Sequence, residues 1–140
     1  MPIQLTKVSY TTSASARGGR AGHVRSADGL VEFDLARPGT TPEPAVNPET
    51  LFAAGYAACF QSALANRART KGVDTSDSTV TAHVSLGPSE DGGFGLAVEL
   101  EVSIPGVEAP LAYELVELAH QFCPYSKATR GNIDVTLTVV

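Results

Sequence analysis

Two cysteines are all the thiol that the 140-residue chain carries, and they stand 64 positions apart, at Cys59 and Cys123. That spacing is nothing like the short Cys-x-x-Cys of zinc knuckles or thioredoxin-type sites. Histidine is limited to His23, His83 and His120, so four metal ligands at usable spacing cannot be found, and neither a metal nor any other cofactor is expected. Basic residues are scarce too: 10 Lys and Arg against 15 Asp and Glu, a formal charge of −5, with no basic run. That balance argues against a nucleic-acid partner. No apolar run reaches transmembrane length once Gly55 and Gln61 are counted. The opening Met1-Pro2-Ile3-Gln4 shows neither the charged nor the apolar region of a secretory signal. The expectation is a cytoplasmic chain with no membrane role, in a compartment that keeps thiols reduced. Two cysteines there are poor material for a structural staple, and a pairing between them would be transient and chemical.

What the sequence does have is one long stretch without charge. Asn47 can cap a helix, Pro48 suits its first position and Glu49 suits the positive end of its dipole. From Thr50 to Asn66 the chain is mostly Ala, Leu and Phe. A helix apolar on nearly every face is expected to be buried on nearly every face, and this one should run to about Lys71 and stop at Gly72. Cys59 sits in its middle, where a free cysteine often serves only as a small apolar residue.

Around this helix the pattern is β, then β, then α, then β. Gln4 to Thr12 alternates loosely through Leu5, Val8 and Tyr10, and Ser13 to Arg20 is a small, flexible loop around Gly18 and Gly19. Asp28-Gly29 marks a hairpin turn between 21–26 and 30–35. The prolines of 36–46 define a loop. Val80, Ala82, Val84 and Leu86 alternate, as do Leu96, Val98, Leu100, Val102 and Ile104, which predicts a long hairpin with one buried face. Leu111, Leu115, Leu118, Ala119 and Phe122 follow helical spacing after Pro110, and Pro124 ends that helix. Ile133, Val135, Leu137 and Val139 form a last strand. The order predicts one α+β domain over 1–140, with helices packed on antiparallel sheets.

A peroxide-reducing thiol needs a neighbouring guanidinium to favour its anion, a carboxylate to hold that guanidinium in place, and a second thiol to capture the sulfenic acid before irreversible oxidation. Arg17 or Arg20 on the glycine loop, Glu49 at the helix start, and Cys123 are the candidates. His120 lies three residues before Cys123 and is read as a helix-end residue whose cation suits the C-terminal dipole. Arg17 and Arg130 read as solvated charges.

Four segments carry a family resemblance. They are Gly18-Gly19-Arg20, then Asn47-Pro48-Glu49-Thr50-Leu51-Phe52-Ala53-Ala54-Gly55-Tyr56-Ala57-Ala58-Cys59-Phe60, then Gly93-Phe94-Gly95-Leu96, and the run from Cys123-Pro124-Tyr125-Ser126 to Asp134-Val135. Together they resemble the organic hydroperoxide resistance (Ohr) branch of the Ohr/OsmC family. The resemblance implies an OsmC-like, intertwined homodimer and a thiol peroxidase acting on organic hydroperoxides. It implies Cys59 as the peroxidatic and Cys123 as the resolving cysteine, Arg20 as the activating arginine and Glu49 as its orienting carboxylate. It also implies dihydrolipoamide, carried on a lipoylated protein, as the electron donor. Lys127 departs from the family, whose commonest residue there is Asn. Phe52, Phe60, Phe94, Leu96 and Tyr125 are the expected lining of a pocket for an alkyl or lipid-like tail, with plain packing as the alternative for each. Two rivals are an OsmC-type peroxidase of broader substrate range and a non-enzymatic dimer that binds apolar ligands.

Glu49 and Cys59 lie ten positions apart on one predicted helix, which is about 15 Å of axial rise. A clamp reaching Cys59 from its own helix start would be strained. The expectation is a site shared between two chains, with Cys59 and Cys123 from one and Arg20 and Glu49 from the other.

Overall fold

The computed structural model describes residues 2–140. The chain forms two compact units, with Pro48 closing the first and Glu49 opening the second.

The first unit holds a three-stranded antiparallel sheet in the order β1 (Ala14–Arg17), β2 (His23–Ser26), β3 (Glu32–Asp34). Gly18 and Gly19 take positive φ values of 77° and 58° between β1 and β2 and lead into a 3₁₀ turn over Gly19–Ala21. Asp28-Gly29 turns the chain between β2 and β3 as expected. Gly29 is left-handed at φ 74°, and the Asp28 carboxylate accepts from Ser26 Oγ at 2.6 Å and from the Leu30 N–H at 3.0 Å. The proline loop after β3 is closed at its base by a bridge between Leu35 and Val46.

The first strand differs from expectation. Residues 4–12 carry no strand, and the sheet begins instead at Ala14, inside the stretch read as a flexible loop. Leu5, Val8 and Tyr10 are 78, 62 and 85 % exposed. The step of three from Leu5 to Val8 breaks the period of two that would put all three on one strand face.

On the first sheet His23 directly opposes Asp34 across β2 and β3. Its Nδ1 lies 2.8 Å from Asp34 and its Nε2 lies 2.9 Å from Glu32. Carboxylates accept only, so both ring nitrogens must carry hydrogen for both bonds to form. The bonds to Asp34 and then Glu32 raise the His23 pKa above its ordinary value. A raised histidine stabilises the fold fully below its unfolded pKa, and that stability is lost as pH rises through the folded pKa. We expect amides of β2 and β3 to exchange faster above the raised His23 pKa than below the ordinary histidine range, beyond the intrinsic pH effect, and His23→Gln to remove the difference. Hydrogen exchange at the two pH values checks this, and equal protection at both would refute it.

From its second residue onward, the long helix α1 (Pro48–Arg69) belongs to the second unit. The hairpin β4 (Thr79–Pro88) and β5 (Phe94–Ser103) comes next, then α2 (Ala109–Phe122), α3 (Pro124–Thr129) and β6 (Val135–Val139). β4 pairs antiparallel with β5, with Val80 opposite Val102, Ala82 opposite Leu100 and Val84 opposite Val98, so the expected apolar positions share one face. β6 pairs with β5 in parallel, Leu100 opposite Leu137. The sheet is therefore mixed rather than wholly antiparallel. The connection through α2 and α3 carries the chain back along the sheet before β6 begins, which is what parallel neighbours need.

The core joins Tyr56, Phe60, Ala63, Leu64 and Ala68 of α1, Val98, Leu100 and Val102 of β5, Ala112, Leu115, Val116 and Ala119 of α2, and Cys123. Leu100 is fully buried on the central strand. We expect Leu100→Ala to cost about 2–5 kcal/mol, the usual penalty for emptying a packed aliphatic site, read as a fall in the midpoint of chemical denaturation.

α1 is not buried on every side. Ala54, Ala58 and Ser62, spaced by four, are exposed opposite its core face. The helix ends as expected, with Gly72 left-handed at φ 69° and the Val73 N–H reaching back to the Ala68 carbonyl at 3.0 Å.

Candidate active site: the Cys59–Cys123 pair

Proline chemistry sets the place of Cys123. The residue before a proline avoids the helical region, and Cys123 sits at φ −64°, ψ 125° between α2 and α3. Its N–H still donates to the Ala119 carbonyl at 2.8 Å, and its own carbonyl accepts from the Lys127 N–H at 3.0 Å. Cys123 thus ends one helix and begins the next, with its side chain fully buried.

Both cysteines are free thiols. Cys59, partly exposed on α1, lies with its Sγ 3.5 Å from that of Cys123, which is placed to donate its S–H. Burial is the main influence on Cys59 and pushes its pKa above the ordinary thiol value; Cys123 pushes the same way, while the Tyr125 backbone N–H opposes it. Burial therefore disfavours the Cys59 anion, and a neighbouring positive charge is what would favour it.

A polar cluster stands one helical turn away. Tyr56 Oη is 2.8 Å from Ser126 Oγ and 3.1 Å from Thr129 Oγ1. His120 Nδ1 is 2.8 Å from the same Ser126 Oγ, and Thr129 Oγ1 donates to the Ser126 carbonyl at 3.2 Å. Tyr56 and Ser126 are fully buried. His120 is a correction to expectation. Burial, and then the charge of Arg130, lower its pKa, so it stands neutral inside the cluster rather than as a cation at a helix end. Arg130 is not simply solvated either, because its guanidinium donates to the His120 carbonyl.

The expected pocket residues fall into three places. Phe52 and Tyr125 come together with Tyr56 as an aromatic trio, at centroid distances of 5.9 Å (Phe52–Tyr56), 6.4 Å (Phe52–Tyr125) and 5.8 Å (Tyr56–Tyr125). Gly55 makes room for it, since a Cβ there would stand 3.2 Å from the Tyr125 ring. Phe60 is fully buried in the core. Phe94, 74 % exposed, and Leu96 line an open depression at the hairpin tip together with Ser85 to Asp91 and Gly131 to Asp134, a lining that includes neither cysteine. Arg20 lies in the 3₁₀ turn of the first unit and Glu49 in the first turn of α1. The helix from Glu49 to Cys59 is unbroken, so the separation of about 15 Å along its axis holds.

Sequence reasoning passed over Tyr56, Ser126 and Thr129. The available signal was spacing: Tyr56 precedes Cys59 by three, His120 precedes Cys123 by three, and Ser126 follows it by three. Residues three apart share a helix face. Among the described residues no group of three or more His, Cys, Asp or Glu could hold a metal ion, and no helix is long and apolar enough to cross a membrane.

A thiol pair set between a buried helix and the joint of two shorter ones, on this α+β frame, defines a class. Residues 39–138 match the family model described as OsmC-like protein. The chain belongs to the OsmC family. Within it, the chain is 54% identical over 135 residues to the organic hydroperoxide resistance protein OhrA of Bacillus subtilis, spanning 93% of this chain and 95% of that protein. The crystal structure of OhrB from the same organism superposes with a TM-score of 0.89 at 48% identity, covering 94% of this chain and 98% of the other. An organic hydroperoxide resistance protein from Elizabethkingia anophelis, solved with thiocyanate bound, gives a TM-score of 0.88 at 52% identity over 96% of this chain and 98% of its own.

Proposed function

We propose that the chain is a cytoplasmic thiol peroxidase that reduces organic hydroperoxides to alcohols. The observation that carries this reading is the 3.5 Å approach of the Cys59 and Cys123 sulfurs. The Cys59 thiolate attacks the peroxide oxygen distal to the organic group, the O–O bond breaks, and the alkoxide leaves and takes a proton to become the alcohol. Cys59 is then a sulfenic acid. The Cys123 sulfur attacks it, forming the disulfide, and the Cys123 proton leaves with the hydroxyl as water. A dithiol of the dihydrolipoyl type, carried on a lipoylated protein, reduces the disulfide by exchange. No cofactor enters the cycle.

Arg20 supplies the positive charge that offsets the burial of Cys59, and Glu49 fixes its planar fork. Phe52 and Tyr125 face the organic tail. The active form is a homodimer in which Arg20 and Glu49 come from the chain opposite to Cys59. Support comes from the unbroken helix between Glu49 and Cys59. It comes also from the large apolar side chains that one chain leaves open, Ile3, Leu5, Val8 and Tyr10 on the N-terminal arm. A run of exposed large apolar side chains is the kind of surface that a partner chain covers.

The deciding measurement is the thiol titre before and after one equivalent of tert-butyl hydroperoxide. A peroxidase loses both thiols and yields the alcohol, whereas a protein that only binds apolar ligands keeps them. For the shared site, mixing Cys59→Ser and Glu49→Ala chains should regain activity that neither has alone, because the mixed dimer holds one intact site. No regain would assign Glu49 to the chain of its own Cys59.

A further inference from the structure

We propose that Tyr56, Ser126 and His120 are positioning residues for the second half of the cycle, in which Cys123 closes onto Cys59; the proposal rests on the function given above. The geometry is a two-rung ladder. Tyr56 and Cys59 share one face of α1, three residues apart, and Ser126 and Cys123 are likewise three apart along α3 and its cap. One rung is the 2.8 Å bond between Tyr56 Oη and Ser126 Oγ, and the next is the 3.5 Å sulfur contact. His120 Nδ1 holds the same Ser126 hydroxyl from α2. Ser126 therefore joins all three helices that carry or flank the thiols.

Hydrogen bookkeeping fixes the direction of these bonds. Each hydroxyl has one hydrogen to give, and the Thr129 hydroxyl gives its own to the Ser126 carbonyl. Tyr56 then donates to Thr129, Ser126 to Tyr56, and His120 Nδ1–H to Ser126. This single order satisfies every contact, and it places the proton of the neutral imidazole on Nδ1. A buried relay with each member satisfied is stiff, and breaking one link leaves a buried polar atom without its partner.

Disulfide formation requires the sulfurs to close from 3.5 Å to about 2.05 Å. The neighbouring rung is what keeps α3 against α1 during that movement, so the Cys123 joint turns towards Cys59 instead of drifting from it. The first oxidation involves Cys59 alone and does not need the rung.

The test uses the full-length protein. In glutathione redox buffers, with no hydroperoxide present, the effective concentration of the Cys123 thiol towards Cys59 is read from the Cys59–Cys123 disulfide fraction. Tyr56→Phe and Ser126→Ala should lower it roughly tenfold, the usual scale for one lost buried hydrogen bond. With excess tert-butyl hydroperoxide the same variants should show more Cys59 sulfinate by intact mass, while the rate of Cys59 oxidation in a Cys123→Ser background moves little. His120→Asn, whose amide N–H replaces Nδ1–H, should retain closure, and His120→Ala should lose it. Nitrogen-15 shifts of His120 should report the Nδ1–H tautomer in the unaltered protein and its loss in Ser126→Ala. Unchanged disulfide fractions in Tyr56→Phe and His120→Ala overturn the proposal. Failure of the unaltered protein to form the disulfide or to consume hydroperoxide overturns instead the peroxidase reading on which it rests.

Discussion

On the proposed cycle, Cys59→Ser is expected to leave no organic hydroperoxide turnover. The serine hydroxyl would stay protonated where the proposed guanidinium would ionise a thiol, and an un-ionised hydroxyl is a poor nucleophile towards an O–O bond. The fall should be roughly 10³-fold or more, as when other enzymes lose the atom that forms the covalent intermediate. It is measured as consumption of tert-butyl hydroperoxide with an excess of dihydrolipoamide. The fold should tolerate the change, because Cys59 is only partly buried and oxygen for sulfur is a small difference in volume. Steady-state activity kept in this variant would place the nucleophile elsewhere.

Cys123→Ser allows one reduction event and then stalls. The first step needs only Cys59, so one equivalent of alcohol should still appear. The sulfenic acid then has no thiol at 3.5 Å to condense with, and further hydroperoxide drives it to the sulfinic and sulfonic acids, which ordinary thiols do not reverse. Turnover should fall at least about tenfold, and intact mass should show two or three added oxygens in place of a disulfide, each oxygen beyond the first accompanied by one further, slower equivalent of alcohol. A variant that cycles at the normal rate would mean that an external thiol captures the sulfenic acid directly, and that the buried partner is dispensable. The two substitutions together separate the roles: one removes the burst of alcohol, the other leaves the burst and removes every later turnover.

Much of the architecture was legible because its signals are local. Asn47-Pro48-Glu49 announced α1 and Gly72 its end; strict alternation over Val80–Leu86 and Leu96–Ile104 announced the hairpin, whose register then paired the expected faces. The direction of β6 was not legible, since alternation fixes which side chains share a face but not whether a neighbour runs parallel. Residues 4–12 misled because their apolar residues find no cover within one chain. At the site, the two sulfurs could be singled out by scarcity alone. Their meeting was implied by the family resemblance alone and by no local pattern, because it depends on Pro124 bending the chain at Cys123. The Tyr56–Ser126–Thr129 cluster was passed over because Tyr56 stands 70 and 73 positions from its two partners and each residue reads singly as an ordinary polar one. His120 was seen, but the dipole argument made it a cation, and desolvation reverses that sign.

The unequal exposure of the two cysteines has a further effect. In the reduced protein Cys123 is sealed and Cys59 is partly open. In the proposed cycle, an incoming dithiol would therefore touch the bond between them from one end only. It must couple to sulfur 59 and expel sulfur 123 as the leaving group into the interior, next to Ala119 and the α3 start. The proposed recycling would then have a handedness: the transient adduct with the donor would form on the same atom that met the hydroperoxide, and oxidant and reductant would take turns at a single doorway.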